Sequence, residues 1–153
     1  MSQRSSLRTL GMVAVVTLFT ALPAQAEAPP GQYDPTMGAG AVYDTKTGLT
    51  WQQTSPQPGY TWEDAKVYCA GLDLNGLGWR LPTVKELLTL VDVTETSPSI
   101  DTSVSGFPAA PADYFWSATP YAGTPSDAWY VYFSYGNAYF HDTSVLHRAR
   151  CVR

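Results

Sequence analysis

Ala128-Trp129-Tyr130-Val131-Tyr132-Phe133-Ser134-Tyr135-Gly136-Asn137-Ala138-Tyr139-Phe140-His141 reads as two strands joined by a turn. The first half alternates: Trp129, Val131 and Phe133 fall on one face, Tyr130 and Tyr132 on the other. Ser134-Tyr135-Gly136-Asn137 carries turn chemistry, and Ala138 to His141 returns as the partner strand. A β-hairpin rich in tyrosine therefore anchors the reading.

Working outward, Tyr114-Phe115-Trp116-Ser117-Ala118 supplies another strand to the same sheet. Residues 93–113 lack any apolar period and are dominated by Ser, Thr, Pro and Gly, a loop of about 20 residues that is either functional or mobile. Before it, Pro82 followed by Thr83-Val84-Lys85-Glu86 forms a capping box for a helix carrying Leu87, Leu88, Leu90 and Val91. An earlier helix starts at an N-cap Thr61, with Glu63 and Asp64 in its first turn. Its inward stripe is Trp62, Ala65, Cys69 and Leu72, and Gly71 stops it. Ala41-Val42-Tyr43 and Leu49-Thr50-Trp51 flank Asp44-Thr45-Lys46-Thr47-Gly48 as a hairpin. Val145 to Val152 closes the chain, with Cys151 on one face and Arg148 and Arg150 on the other. Two helices, a twisted antiparallel sheet and long loops make an α+β domain.

The chain has 153 residues, 44% hydrophobic, 13% aromatic and only 14% charged, which excludes a disordered protein and leaves room for one sizeable domain. Arg4 and Arg8, the apolar run Leu10 to Leu22 and Ala24-Gln25-Ala26 predict a signal peptide over residues 1–26. That run is shorter than the ~20 residues of a spanning helix, so no membrane span is expected after cleavage. The mature chain would start at Glu27, with an exposed lead-in over 27–40 and the domain over 41–153. Losing two arginines moves the net charge from −4 to −6, which argues against nucleic acid as a partner. Export makes Cys69 and Cys151 a structural disulfide in preference to two reactive or metal-binding thiols.

Several motifs carry a family resemblance: Thr47-Gly48-Leu49-Thr50-Trp51, Trp62-Glu63-Asp64-Ala65 through Cys69, Gly78-Trp79-Arg80-Leu81-Pro82-Thr83 with Glu86-Leu87, Phe115-Trp116-Ser117 and Arg150-Cys151-Val152-Arg153. In this order they resemble the Lcl C-terminal domain family over about residues 40–153. The resemblance implies a C-type-lectin-like fold, in which a cysteine of the first helix bonds to one on the last strand. It also implies surface or periplasmic modules that bind glycans or proteins, with no assigned chemistry for most members.

Each candidate site has a plainer rival. Gly78-Trp79-Arg80-Leu81-Pro82-Thr83 is explained as scaffold: a turn at Gly78, a core anchor at Trp79, packing by Leu81 and a helix start at Pro82-Thr83. Trp51 and Trp62 are read as core in preference to a sugar platform. Glu95, Asp101, Asp113 and Asp127 lack the lectin signatures Glu-Pro-Asn, Gln-Pro-Asp and Trp-Asn-Asp, so no metal is expected. His141 and His147 have no spaced carboxylate or nucleophile, and the only cysteine pair is committed to the scaffold, so neither catalysis nor a cofactor is expected.

A binding surface remains. Tyr114, Tyr121, Tyr130, Tyr132, Tyr135 and Tyr139 are too many for one small core, and exposed tyrosine offers both a stacking face and a hydroxyl. The candidate ligand-binding set is Tyr121, Asp127, Tyr130, Tyr132, Tyr135, Asn137, Tyr139 and Arg148. Asp127, Asn137 and Asp142 are expected in neighbouring turns, where they hydrogen-bond a polar ligand. His147, Arg148, Arg150 and Arg153 form a basic cluster that suits a sulfated or acidic glycan, or is merely solvated or structural. The expected function is an exported, non-catalytic recognition module for glycan or protein ligands, in the periplasm or at the cell surface. The alternative is a protein–protein or self-assembly component, such as a trimeric homo-oligomer of the envelope.

Overall fold

The computed structural model describes residues 29–57 and 59–153. The expected signal peptide and Glu27 and Ala28 of the lead-in lie outside the described residues. Among those described, no helix is long and apolar enough to cross a membrane.

Element order follows the alternation of local signals. β1 (Tyr33–Asp34), β2 (Ala41–Asp44) and β3 (Leu49–Gln52) form one antiparallel sheet; β4 (Tyr114–Pro120), β5 (Asp127–Tyr132) and β6 (Asn137–Asp142) form another. Between them stand α1 (Trp62–Ala70) and α2 (Val84–Leu88). The domain is α+β, with two small sheets where one was expected. The reason lies in the last residues, which form no continuous ladder. Single bridges pair Trp51 and Arg80 with Val152, Tyr60 with His147 and Phe115 with Arg148, so the terminus links the sheets without merging them.

Both helices start where their caps predict. Thr61 Oγ1 accepts from the Asp64 amide at 3.3 Å, and Ala65 and Cys69, one turn apart, are fully buried. Thr83 and Glu86 complete a reciprocal capping box, and Arg80 donates twice to the Glu86 carboxylate at 2.7 and 2.8 Å. The arginine and the Thr83 amide hold the Glu86 carboxyl down at about 2. Trp79 is buried with its indole N–H donated to the Leu74 and Gly76 carbonyls, and Gly78 has φ +93°. The scaffold reading of this motif accounts for its contacts.

The Cys69–Cys151 disulfide is present, joining α1 to the C-terminal segment across 82 residues. It sits in a core with Ala65, Trp79, Leu81, Trp116 and Ala128. A second core gathers Tyr33, Val42, Trp51, Leu87, Phe107, Phe115 and Val131. Burying each large apolar side chain stabilises the fold by roughly 1.5–3 kcal/mol.

Two expectations need correction. The 27–40 lead-in is not simply exposed, because Tyr33 pairs with Asp44 in β1 and packs edge-on to Phe107 at 5.1 Å. The 93–113 loop has no regular element, yet Ile100 and Phe107 are buried and Ser99 donates through both N–H and Oγ to the Phe133 carbonyl. Sparse apolar residues without a period still anchor a loop when each one finds a core position.

Candidate recognition surface

The register of the second sheet builds the surface. Tyr114 lies opposite Tyr132, Trp116 opposite Tyr130, Tyr130 opposite Tyr139, Tyr132 opposite Asn137 and Ala128 opposite His141. Directly opposed residues in an antiparallel pair share a face, so one face collects Tyr114, Tyr130, Tyr132, Asn137, Tyr139 and His141. Tyr114 stacks on Tyr132 with centroids 4.3 Å apart and meets Tyr130 edge-on at 5.4 Å. Tyr135, in the hairpin turn, stands edge-on to Tyr132 at 5.6 Å. Exposure rises from half-buried Tyr130 and Tyr132 on β5 to Tyr139, 50% exposed on the edge strand β6, and Tyr135, 69% exposed in the turn. Burial raises the Tyr130 phenol and the Tyr132 neighbour raises Tyr114, so both hydroxyls keep their protons at neutral pH.

At its inner end this face meets the two histidines. His147 is buried among Trp116 at 4.3 Å, Tyr130 at 4.8 Å and Tyr114 at 5.2 Å. His141 Nδ1 lies 3.3 Å from His147 Nε2. Beside them a shallow notch of about 120 Å³ is lined by Gln57, Gly59, Asp113, Leu146, His147 and Arg148. Arg148 Nε pairs with Asp113 Oδ2 at 2.7 Å there.

Desolvation, then the neighbouring His141, pushes His147 down to about 4 from its ordinary 6.5. The folded state therefore disfavours the charged form, and the resulting stability is complete above pH 6.5 and is lost as pH falls through 4. The shift corresponds to about 3 kcal/mol. Imidazole resonances followed by NMR should show His147 still neutral at pH 5; ordinary titration near 6.5 would refute its burial.

The predicted set divides. Tyr130, Tyr132, Tyr135, Asn137 and Tyr139 come together, and Arg148 stands at the notch with its amide bonded to the Tyr114 carbonyl. Tyr121 does not join them. It lies flat on Phe140 at 3.8 Å on the reverse face, with Trp129 edge-on to both. Asp127 pairs with Asp142 at the far end of the hairpin from Asn137, so these three polar residues do not form one group. The basic cluster also fails to form: Arg150 is buried at 1% exposure, and Arg153 Nη1 donates to the Asn75 carbonyl with its guanidinium over Trp79. Tyr114 and the histidines join the surface although the ligand-binding set lacked them. His141 was legible as the next same-face residue after Tyr139, whereas His147 had no local signal.

A larger cleft of about 520 Å³ lies between residues 29–33 and the long loop, with Asp92, Glu95 and Asp101 in its wall. Among the described residues, no group of three or more His, Cys, Asp or Glu is placed to hold a metal ion.

A family model for the Lcl C-terminal domain matches residues 40–153. The chain belongs to the Lcl C-terminal domain family. No curated protein matches it. The motifs by which the chain resembles this Lcl family are largely scaffold: Trp51, Cys69, Trp79, Leu81, Trp116 and Cys151 are all buried. Of the tyrosine face, only its buried floor at Trp116 falls within those motifs.

Proposed function

We propose that this Lcl-family domain is an exported, C-type-lectin-like recognition module that stacks uncharged sugar rings on the face of Tyr114, Tyr130, Tyr132 and Tyr139. The supporting observation is the register that aligns these rings beside a notch offering Gln57, Asp113 and Arg148. Flat aromatic faces cover the apolar side of a pyranose, and phenol, amide and carboxylate groups bond its hydroxyls. An uncharged ligand follows from the fate of the basic residues. Arg150 is buried, Arg148 is paired with Asp113 and His147 is neutral, so no cationic patch adjoins the tyrosines among the described residues. The module is read as non-catalytic, with both cysteines in the disulfide. The oxidised pair and the N-terminal leader pattern together support a periplasmic or cell-surface location.

A glycan array followed by calorimetry on the disulfide-intact chain tests this. Binding should survive raised salt, and Tyr132→Ser or Tyr139→Ser should each weaken it about 10-fold, the loss of roughly 1.4 kcal/mol of stacking. Binding that collapses with salt, or that ignores both variants, would refute the reading.

Self-association is the second reading, and one observation favours it. No described strand pairs with the outer edge of β6, which exposes Tyr139 on one face and Phe140 on the other without a lysine or proline to block pairing. Sedimentation would then show an oligomer, dispersed by Phe140→Lys.

A further inference from the structure

The chain has only two histidines, and the fold brings them together. We infer that His141 and His147 form a two-imidazole site for a divalent ion of the imidazole-preferring class, Zn²⁺ or Cu²⁺, at the inner end of the tyrosine face. This inference does not depend on the glycan reading.

The geometry carries it. The facing nitrogens, His141 Nδ1 and His147 Nε2, are 3.3 Å apart. With metal–nitrogen bonds of about 2.0–2.1 Å, that separation subtends about 107° at an ion, near the tetrahedral angle. The rings stand with centroids 5.3 Å apart and planes 30° from parallel.

The surroundings suit a bound ion on one side and leave the other open. Trp116, Tyr130 and Tyr114 pack around His147 and fix its ring, so one ligand is preorganised. His141 is exposed on the edge strand β6 and provides the path of entry. Each neutral imidazole carries one proton. Binding requires the ring that donates in the pair to move that proton to its outward nitrogen. For His147 the outward atom is Nδ1, which is buried and makes no well-aligned hydrogen bond in the structure. The nitrogen that must carry the proton in the metal-bound tautomer is thus not committed as an acceptor. Two protein ligands leave further coordination positions for water or for the hydroxyls of a molecule resting on the tyrosines. Imidazole pairs select Zn²⁺ and Cu²⁺ over the oxygen-seeking Ca²⁺ and Mg²⁺.

The test titrates ZnCl₂ into tag-free, disulfide-intact protein in a non-coordinating buffer near neutral pH, following the two imidazole spin systems by NMR. Both should shift together and saturate at one ion per chain. CuCl₂ should quench tryptophan fluorescence, because Trp116 lies 4.3 Å from the His147 ring. His141→Gln, at an exposed position, should abolish both responses with the thermal midpoint unchanged, while Glu95→Gln in the acidic cleft should preserve both. A shift of His141 alone, saturation retained in His141→Gln, or no imidazole shift at millimolar Zn²⁺ would each overturn the site.

Discussion

Replacing Cys69 and Cys151 together by alanine is expected to lower the free energy of unfolding by roughly 4–5 kcal/mol. The cross-link joins residues 82 apart in sequence, and in the chain-entropy model a loop of that length removes most of what a single disulfide can remove from the unfolded ensemble. Native-state contacts add to this. The C-terminal segment makes no continuous ladder; it is held by isolated backbone pairs, reciprocal between Thr50 and Arg153 and between Arg80 and Val152, with Gln52 N–H donating to the Cys151 carbonyl. A terminal segment with such discontinuous pairing frays readily once its covalent tie is cut. Small domains are stable by only about 5–15 kcal/mol, so the double variant should lie near the edge of folding. Urea unfolding of the two proteins, monitored by tryptophan fluorescence, measures the difference. A loss below about 1 kcal/mol would mean that the cores alone hold the terminus and that the cross-link is dispensable.

Arg150→Ala should cost nearly as much, about 3–5 kcal/mol. The guanidinium Nη1 donates to the Gln52 carbonyl at 2.9 Å and the Gln53 carbonyl at 2.7 Å. The same group lies over the rings of Phe107 at 4.4 Å and Phe115 at 5.4 Å. Truncation removes the donor from two carbonyls beneath the surface and leaves a cavity between those rings. Arg150→Met, which restores volume without the donors, should recover part of the loss and so separate packing from hydrogen bonding. Arg80→Ala is the contrast: its partner Glu86 is half-buried and its own side chain is 48% exposed, so the change should cost about 1 kcal/mol. Equal costs at the two arginines, measured by denaturant unfolding, would show that Arg150 is not the interior tie described here.

Both predictions concern residues that belong to the motifs shared with the Lcl family, and neither touches the tyrosine face. Stability and the proposed recognition are therefore separable in this domain. Tyr132→Ser or Tyr139→Ser should change binding at little cost in folding, whereas changes at Cys69, Cys151 or Arg150 act on folding first.

Local chemistry explains how much of the fold was legible. Helix starts at Thr61 and Thr83 follow from side chains that reach amides three residues away. The hairpin from Asp127 to Asp142 follows from period-2 alternation on either side of a turn at Gly136, whose φ is +74°. The same alternation put Tyr130 and Tyr132 on one face, and the register of β6 then added Tyr139. It failed at Arg150, where strand parity pointed the side chain outward, opposite Cys151. The terminal segment is covered on both sides, by α1 and Trp79 around Cys151 and by Phe107 and Phe115 around Arg150, so alternation no longer separates inside from outside.

The sequence by itself determined the order of the helices and the two main hairpins, the helix caps and the pairing of the two cysteines, since each depends on neighbours in the chain or on there being a single partner. Tertiary structure alone decided which arginine is interior, that Tyr121 lies behind the sheet and that His141 meets His147. Arg150 reaches Gln52 across 98 residues, and the histidines, only six apart, meet because the chain folds back after β6 to bridge Tyr60. Such contacts are set by the mutual packing of whole elements, which no short window of sequence encodes.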